Sequence, residues 1–400
     1  MRLLIVSHTP HYEENDGFKG WGPTIREISY LARLFDEVVH VAPLFKEIAP
    51  ASALPYESSN IRVRPVSPTG GSSFLDKVTI LRAYPSYARV IREEMKKADI
   101  VHVRCPANIS LLALFLLSMV HQPVKRWFKY AGNWRPTKGE PWSYTLQRWW
   151  LRKDIARGLV TVNGVWSDQP DHVHSFLNPC LSEDEIGTPE ALKKNITSPV
   201  RLLYVGRLEQ SKGVGRALQV LARLDALEVT ATLDLVGDGP ERKDMEQLAS
   251  ALGVERNVRF QGWVARTELT PYYMGAHIFL FPSEASEGWP KVLSEAMAYG
   301  TVPLTSTVSS IPQYIHQFGA GQTFEACDID AYARTIANYV KYPQEWQKAS
   351  RNAARAAEMF TFPAYLRNVH QLLRLSDNAL KSEFGGPLRN STQTVQPHVR

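Results

Sequence analysis

Apolar positions in the first 180 residues fall into short runs separated by longer stretches with helical spacing. Residues 3–6, 38–42, 100–103 and 159–162 are four or five residues long and rich in β-branched side chains, which predicts strands. Between them, 24–35 and 82–97 carry helical patterns. The scheme restarts after residue 200. Strands are predicted at 201–205, 232–236, 257–260, 278–281 and 302–304, with helices at 214–224, 240–252 and 290–299. Short strands alternating with helices build a parallel sheet covered by helices. Two such series in one chain predict two doubly wound α/β units. The longest apolar stretch, 111–120, falls short of the roughly 18–20 residues that cross a bilayer and predicts a buried helix.

Pro179, Gly187, Pro189 and Pro199 interrupt any regular pattern between the two series. The boundary is placed there: an N-terminal domain over 1–185, a C-terminal domain over 186–360, and a helix over 361–375 returning to the N-terminal domain. The segment 376–400, rich in Ser, Asn, Gln, Gly and Pro, is predicted to be a disordered tail.

Composition changes this picture little. A chain of 400 residues with 44% hydrophobic and 22% charged positions is an ordinary globular protein too long for one core. Cys105, Cys180 and Cys327 are far apart, giving neither a disulfide framework nor metal-ligand spacing, which suits a reducing cytosol. The sequons at Asn195 and Asn390 then carry no weight, and the first residues read as a strand and not a leader. Charge is more informative. Residues 1–180 hold 23 Lys and Arg against 16 Asp and Glu, a net +7, whereas 181–400 hold 23 against 24, a net −1. The positive half favours an anionic partner or surface, with a solvated basic face as the alternative.

Chemistry concentrates in the second half. In Glu287-Gly288-Trp289-Pro290-Lys291-Val292-Leu293-Ser294-Glu295, Pro290 suits a first helical position and Gly300 a stop. Glu287 is then left on a loop at a strand's carboxyl end, where open α/β sheets bind ligands. Glu295 lies within the helix, and the amides from Trp289 to Val292 face an anion as helix N-termini do. Two ordinary surface glutamates are the alternative. In Val205-Gly206-Arg207-Leu208-Glu209-Gln210-Ser211-Lys212-Gly213, a strand ends and a helix begins, with Arg207 and Lys212 on the turn. Arg offers a planar fork to phosphate oxygens and Lys a compact charge.

These two stretches, with Gly237-Asp238-Gly239-Pro240 and Gly262-Trp263-Val264 between them, resemble the retaining GT-B glycosyltransferases of family 4, the glycosyl transferases group 1. Glu287 and Glu295, with seven residues between them, match that family's paired-glutamate motif. The resemblance implies two facing Rossmann-like domains with a cleft between them. It implies that Glu287, Arg207 and Lys212 are catalytic, Arg207 and Lys212 gripping the donor diphosphate and Glu287 contacting the sugar. Gly206, Gly288, Trp289, Pro290, Lys291 and Val292 would line the donor, Glu295 would bind the ribose, and the base would lie near Trp263 and Val264. The stretch 17–23 resembles a glycine-rich loop near donor phosphate, placing Gly22 in the donor site. Many relatives carry a histidine where this chain reads Phe128-Lys129-Tyr130-Ala131-Gly132-Asn133-Trp134-Arg135, without one; the resemblance leaves Asn133 or Arg135 to take its place as an acceptor-side hydrogen-bond donor.

The implied reaction is front-face transfer with retention, needing no protein nucleophile, metal or other cofactor. Asp328-Ile329-Asp330 is read as a helix cap and first-turn acid, not a metal site. Expected partners are a nucleotide-sugar donor and a saccharide or lipid-linked acceptor, with no nucleic acid. Residues 146–153 join Trp149 and Trp150 to Arg148, Arg152 and Lys153 on one predicted helix. Such a stretch can rest on an anionic membrane surface, or its tryptophans can enter the core. The expected location is the cytoplasm, peripheral to the membrane. A GT-B phosphorylase or epimerase, or a silent nucleotide-sugar-binding protein, would use the same residues.

Overall fold

The computed structural model describes residues 1–14, 17–69, 74–137, 139–187, 193–285 and 287–376. The predicted tail, past residue 376, lies outside the described residues. The chain divides into two compact units, one formed by Met1–Phe176 with the chain from Leu366, the other by Leu177–Tyr365.

The strands of the first unit are β1 (Arg2–Val6), β2 (His11–Glu14), β3 (Gly17–Trp21), β4 (Glu37–Phe45), β5 (Ala53–Pro55), β6 (Ile61–Val66), β7 (Ile100–Cys105), β8 (Lys125–Tyr130), β9 (Leu159–Val162) and β10 (Val173–Ser175). Seven of them form a parallel sheet in the order β6-β4-β1-β7-β8-β9-β10. One face buries Leu4, Val6, Val39, Val101, Val103 and Phe128 against the helices Phe74–Met95 and Asn108–Ser118. Residues 111–118 of the apolar run fall in this second helix, largely buried as expected. The antiparallel hairpin β2–β3 continues from the end of β4, and β5 pairs with β3.

The second unit holds β11 (Val200–Val205), β12 (Ala231–Val236), β13 (Val258–Gly262), β14 (Ile278–Phe281), β15 (Val302–Ser306) and β16 (Gln322–Phe324). They form one parallel sheet in the order β13-β12-β11-β14-β15-β16. Leu202 and Tyr204 of β11 enter one core while Leu203 and Val205 enter the other. Both faces are therefore covered, which is why this strand reads as continuous apolar sequence. The chain runs from β11 outward to β12 and β13, then returns to β14 on the other side of β11. That reversal opens a crevice at the carboxyl ends of β11 and β14, the place where open α/β sheets bind ligands.

Candidate functional site

The loop leaving β11 and the loop leaving β14 are tied together backbone to backbone. The Ser211 carbonyl accepts the amides of Glu284 at 2.9 Å and Ala285 at 3.2 Å. Arg216 donates to the Pro282 carbonyl at 2.7 Å and to Glu284 at 3.0 Å. Gly213 has φ +85°, and a side chain there would come within 2.1 Å of the Pro282 carbonyl oxygen. On the other flank, Gly206 and Leu208 meet the loop after β12, where the Leu208 amide donates to the Asp238 carbonyl at 3.1 Å. A side chain at Gly237 would fall 1.9 Å from the Gly206 oxygen. Three strand ends are thus locked into one rim.

On this rim Lys212 and Glu287 form an ion pair, both about a quarter exposed. Arg207 stands beside them, 68% exposed and paired with Glu209 at 2.8 Å, so its guanidinium stays reachable from solvent. Burial lowers the Lys212 ammonium below its ordinary lysine value; Glu209 opposes that shift and Arg207 adds to it. The three residues named as catalytic from sequence therefore meet at the switch point of the second sheet.

Behind Glu287 the chain enters the helix Lys291–Ala298, one residue later than predicted, because Pro290 caps it with ψ 123°. Gly288 is fixed through its carbonyl, which accepts the Ser310 hydroxyl at 2.9 Å. The Trp289 side chain points inward, stacking on Phe360 at 4.9 Å and giving its indole N–H to Ser294 at 2.8 Å. Whatever Trp289 offers a ligand is backbone. Glu295 sits almost buried on the same helix. Its Oε1 accepts Arg266 Nε at 3.2 Å and its Oε2 accepts the Tyr273 hydroxyl at 2.9 Å. Trp263 lies just past β13 and is 54% exposed, leaving its ring open to solvent, while Val264 packs on the core.

The stretch 17–23 departs from expectation. It is not a loop: Gly17–Trp21 is β3, and the helix Gly22–Ala32 starts immediately after it. Two glycines, Gly17 and Gly20, argue against a strand by propensity, but pairing with β2 and β5 overrides that. Gly22 donates its N–H to the Ser52 carbonyl at 3.0 Å, and a side chain there would meet that oxygen at 2.6 Å. Close packing within the unit accounts for this glycine.

Asn133 and Arg135 lie together after β8. The Asn133 side chain accepts the Arg135 amide at 3.1 Å, and Arg135 pairs with Asp168 at 3.1 Å and overlies Trp166. Arg148, grouped from sequence with outward-facing cations, is buried instead. It pairs with Glu140 and donates to the Tyr130 hydroxyl at 2.8 Å. Its position on the inner face of the helix Trp142–Arg152 follows the helical period, which turns Trp149 out and Arg148 in. Asp328 caps the helix Ile329–Lys341 through the Ala331 amide at 3.0 Å, and Asp330 pairs with Arg223. Among the described residues no cluster of His, Cys, Asp or Glu has metal-ligand geometry, and no helix is long and apolar enough to cross a membrane.

Sequence reasoning missed Arg266, Tyr273, Ser310 and Arg216. Arg266 lies four residues beyond Gly262, but nothing in linear spacing connects it to Glu295.

Residues 189–356 match the family model of glycosyl transferases group 1. The glycogen synthase of Mycobacterium tuberculosis is 28% identical over 221 residues, covering 52% of this chain and 51% of that protein. The lipopolysaccharide core biosynthesis glycosyltransferase LpsE of Rhizobium meliloti is 33% identical over 140 residues, covering 35% and 39%. The chain spans about half the length of the first curated relatives it matches. Across nearly the whole fold, it is similar to sucrose-phosphate synthase from Thermosynechococcus elongatus, with TM-score 0.69 at 18% identity over 94% of this chain and 98% of that one. HepE of Anabaena, solved with UDP, gives TM-score 0.69 at 16% identity over 94% and 100%. The fold is that of the GT-B glycosyltransferases, built from two Rossmann-like units.

Proposed function

We propose that this chain is a glycosyltransferase that moves a sugar from a nucleoside-diphosphate sugar to an acceptor hydroxyl with retention of configuration. The observation that carries the reading is the meeting of Lys212, Glu287 and Arg207 at the switch point of the second sheet, with Glu295 on the helix behind.

In the transfer, the bond between the anomeric carbon and the diphosphate oxygen breaks, and the electron pair leaves with the diphosphate. Lys212 and Arg207 neutralise that charge, helped by the positive end of the helix Lys291–Ala298. Lys212 exchanges Glu287 for phosphate oxygens, and Glu287 turns to the sugar hydroxyls and the cationic anomeric centre. The acceptor oxygen attacks from the face the diphosphate leaves, and its proton passes to the departing phosphate oxygen. Two fixed cations and a helix terminus supply the charge a metal would bring, so turnover is expected to survive EDTA.

The acceptor is assigned to the basic N-terminal unit, with a saccharide or lipid-linked sugar of cell-envelope polysaccharide or glycolipid synthesis as its class. The cytoplasmic membrane face is the corresponding location. The LpsE match supports that class. UDP-glucose is the first donor to try, because HepE was solved with UDP and with UDP-glucose. Release of nucleoside diphosphate that depends on acceptor, with an unchanged anomeric configuration by NMR, supports the reading. An intact but epimerised donor points to an epimerase. Phosphorolysis points to a phosphorylase, and binding without turnover of any donor to a silent binder.

A further inference from the structure

We propose that Arg266 and Tyr273 are positioning residues that set the Glu295 carboxylate for a vicinal diol, and so fix a preference for ribonucleotides over 2′-deoxyribonucleotides. The inference rests on the donor site argued above and adds residues that neither sequence motif contains.

A glutamate side chain has three rotatable bonds, and a partly buried carboxylate needs donors to hold one orientation. Glu295 has one donor on each oxygen, Arg266 Nε on Oε1 at 3.2 Å and the Tyr273 hydroxyl on Oε2 at 2.9 Å. Those donors are themselves fixed. Arg266 spends its two terminal nitrogens on Glu185, one of them at 3.0 Å, and on the Cys180 carbonyl at 3.0 Å. Glu185 is held in turn by the Ser182 amide at 2.8 Å, within a capping box. Tyr273 is buried and stacks on Tyr299. The relay from Ser182 through Glu185 and Arg266 ends on the carboxylate.

An ionised carboxylate has about four lone-pair sites. Two are taken here, one per oxygen, which leaves one acceptor direction on each oxygen. Two hydroxyls on neighbouring carbons fit that pair of acceptors. A ligand lacking one hydroxyl leaves a low-solvent acceptor unpaired, and sites built to bond a hydroxyl reject analogues that lack it.

The rival account is structural: the same bonds merely strap residues 180–187 onto the helix Lys291–Ala298. Titration calorimetry with UDP and 2′-deoxy-UDP on the full chain separates the two; GDP and ADP with their deoxy forms take their place if UDP does not bind. Wild type is expected to favour the ribonucleotide by roughly 10- to 100-fold. Tyr273→Phe and Arg266→Lys should cut that preference to a few-fold, through lost ribonucleotide affinity, with deoxynucleotide affinity nearly unchanged. Glu185→Gln, which leaves Arg266 Nε on Glu295, should retain most of it. If Arg266→Lys does not fold, Tyr273→Phe alone decides, since it removes one hydroxyl from an otherwise unchanged ring. A preference unchanged in folded variants, or absent in wild type that binds nucleotide, overturns this inference and leaves the donor site standing. Failure of wild type to bind any of the three nucleoside diphosphates overturns both.

Discussion

Glu287 sits on the loop beyond β14 with its Oε1 taken by the Lys212 ammonium. A donor would set the two tasks apart, phosphate to the cation and sugar to the carboxylate, so their substitutions should part company. Glu287→Gln keeps the shape but removes the charge that steadies a cationic anomeric centre. Turnover should fall by roughly 10²-fold or more, while the affinity for bare nucleoside diphosphate holds or rises, because Lys212 no longer answers to a carboxylate. Lys212→Ala should do the opposite to binding, weakening nucleoside diphosphate by about tenfold or more through loss of a charge-assisted bond. Calorimetry beside steady-state rates checks both. Equal losses of nucleotide affinity from the two changes would refute the division of labour. Glu295 requires a gentler probe than truncation, because Glu295→Ala strands Arg266 between an absent carboxylate and Glu185. A drop in binding from that variant would mix lost ribose contacts with the loss of one of the two carboxylates that hold Arg266.

The elements that carry these side chains depend on close contacts between backbones, the Gly213–Pro282 approach among them. Gly213 ends the short turn Gln210–Lys212 and starts the helix Val214–Asp225 in a left-handed conformation, directly against the Pro282 carbonyl. Gly213→Ala brings both backbone strain and a clash at 2.1 Å, so the two loops must separate. Destabilisation should exceed about 2 kcal/mol in urea unfolding, with donor affinity lost as well. Gly253→Ala is the control. It shares a positive φ of +72° with open space around it, and should cost about 1 kcal/mol without touching donor binding. At this scale the sequence was an uneven guide. The strand at 278–281 and the turn at 206–213 were legible because apolar runs, glycines and a proline all point the same way. β8 was not, because Lys125, Arg126 and Lys129 break its apolar signal. The structure shows how two of these cations are tolerated inside. Arg126 donates to the carbonyls of Leu117, Val120, Pro123 and Ala156, and Lys129 joins Arg104 on the buried Glu27 carboxylate. The Arg266–Glu295 link was equally hidden, since it joins positions that meet only after β13 and the helix Lys291–Ala298 are packed. Local patterns speak for elements; partners of buried charges are settled by tertiary contacts.

For the whole molecule, two fields act on every surface and core at once: pH and the uneven charge. The first unit buries His11 and His40 in a hydrogen-bonded group with Ser7 and Tyr56, His40 reaching Ser7 at 2.7 Å and Tyr56 at 2.6 Å. Burial lowers His11 to about 4 and holds His40 well below its ordinary value. An unfolded chain protonates its histidines near 6.5, so between pH 6.5 and 4 it binds protons that the folded chain refuses. Stability is full above 6.5 and falls with pH through that window, His11 alone accounting for about 3 kcal/mol. Melting temperatures should drop between pH 7 and 4.5, and the drop should shrink in His11→Asn. The charge field concerns partners. The net +7 of residues 1–180 favours an anionic surface, and the structure narrows which side chains can serve. Arg148 is withdrawn into the unit, and Arg152 is half-exposed against Asp168 at 2.8 Å. Trp142 and Trp149 stand out from one helix, and Phe115 and Met119 from the end of its neighbour or just beyond. The two helices are joined where the Trp150 indole donates to Ser118 at 2.9 Å. Lys153 is exposed at the end of the first and Arg157 donates to the Ser118 carbonyl at the end of the second, so cations flank the apolar side chains. Each cation near an anionic leaflet contributes about 1 kcal/mol and is screened within a Debye length of about 10 Å at 0.1 M salt. The 400-residue chain should therefore sediment with phosphatidylserine-containing vesicles at low salt and leave them as salt rises, with donor binding less affected. Lys153→Gln with Trp149→Ser should weaken vesicle binding while nucleotide affinity stays constant, whereas Arg148→Gln should lower the melting temperature by unpairing Glu140. Absence of sedimentation at low salt, or indifference to Trp149 and Lys153, would leave a soluble saccharide as the acceptor.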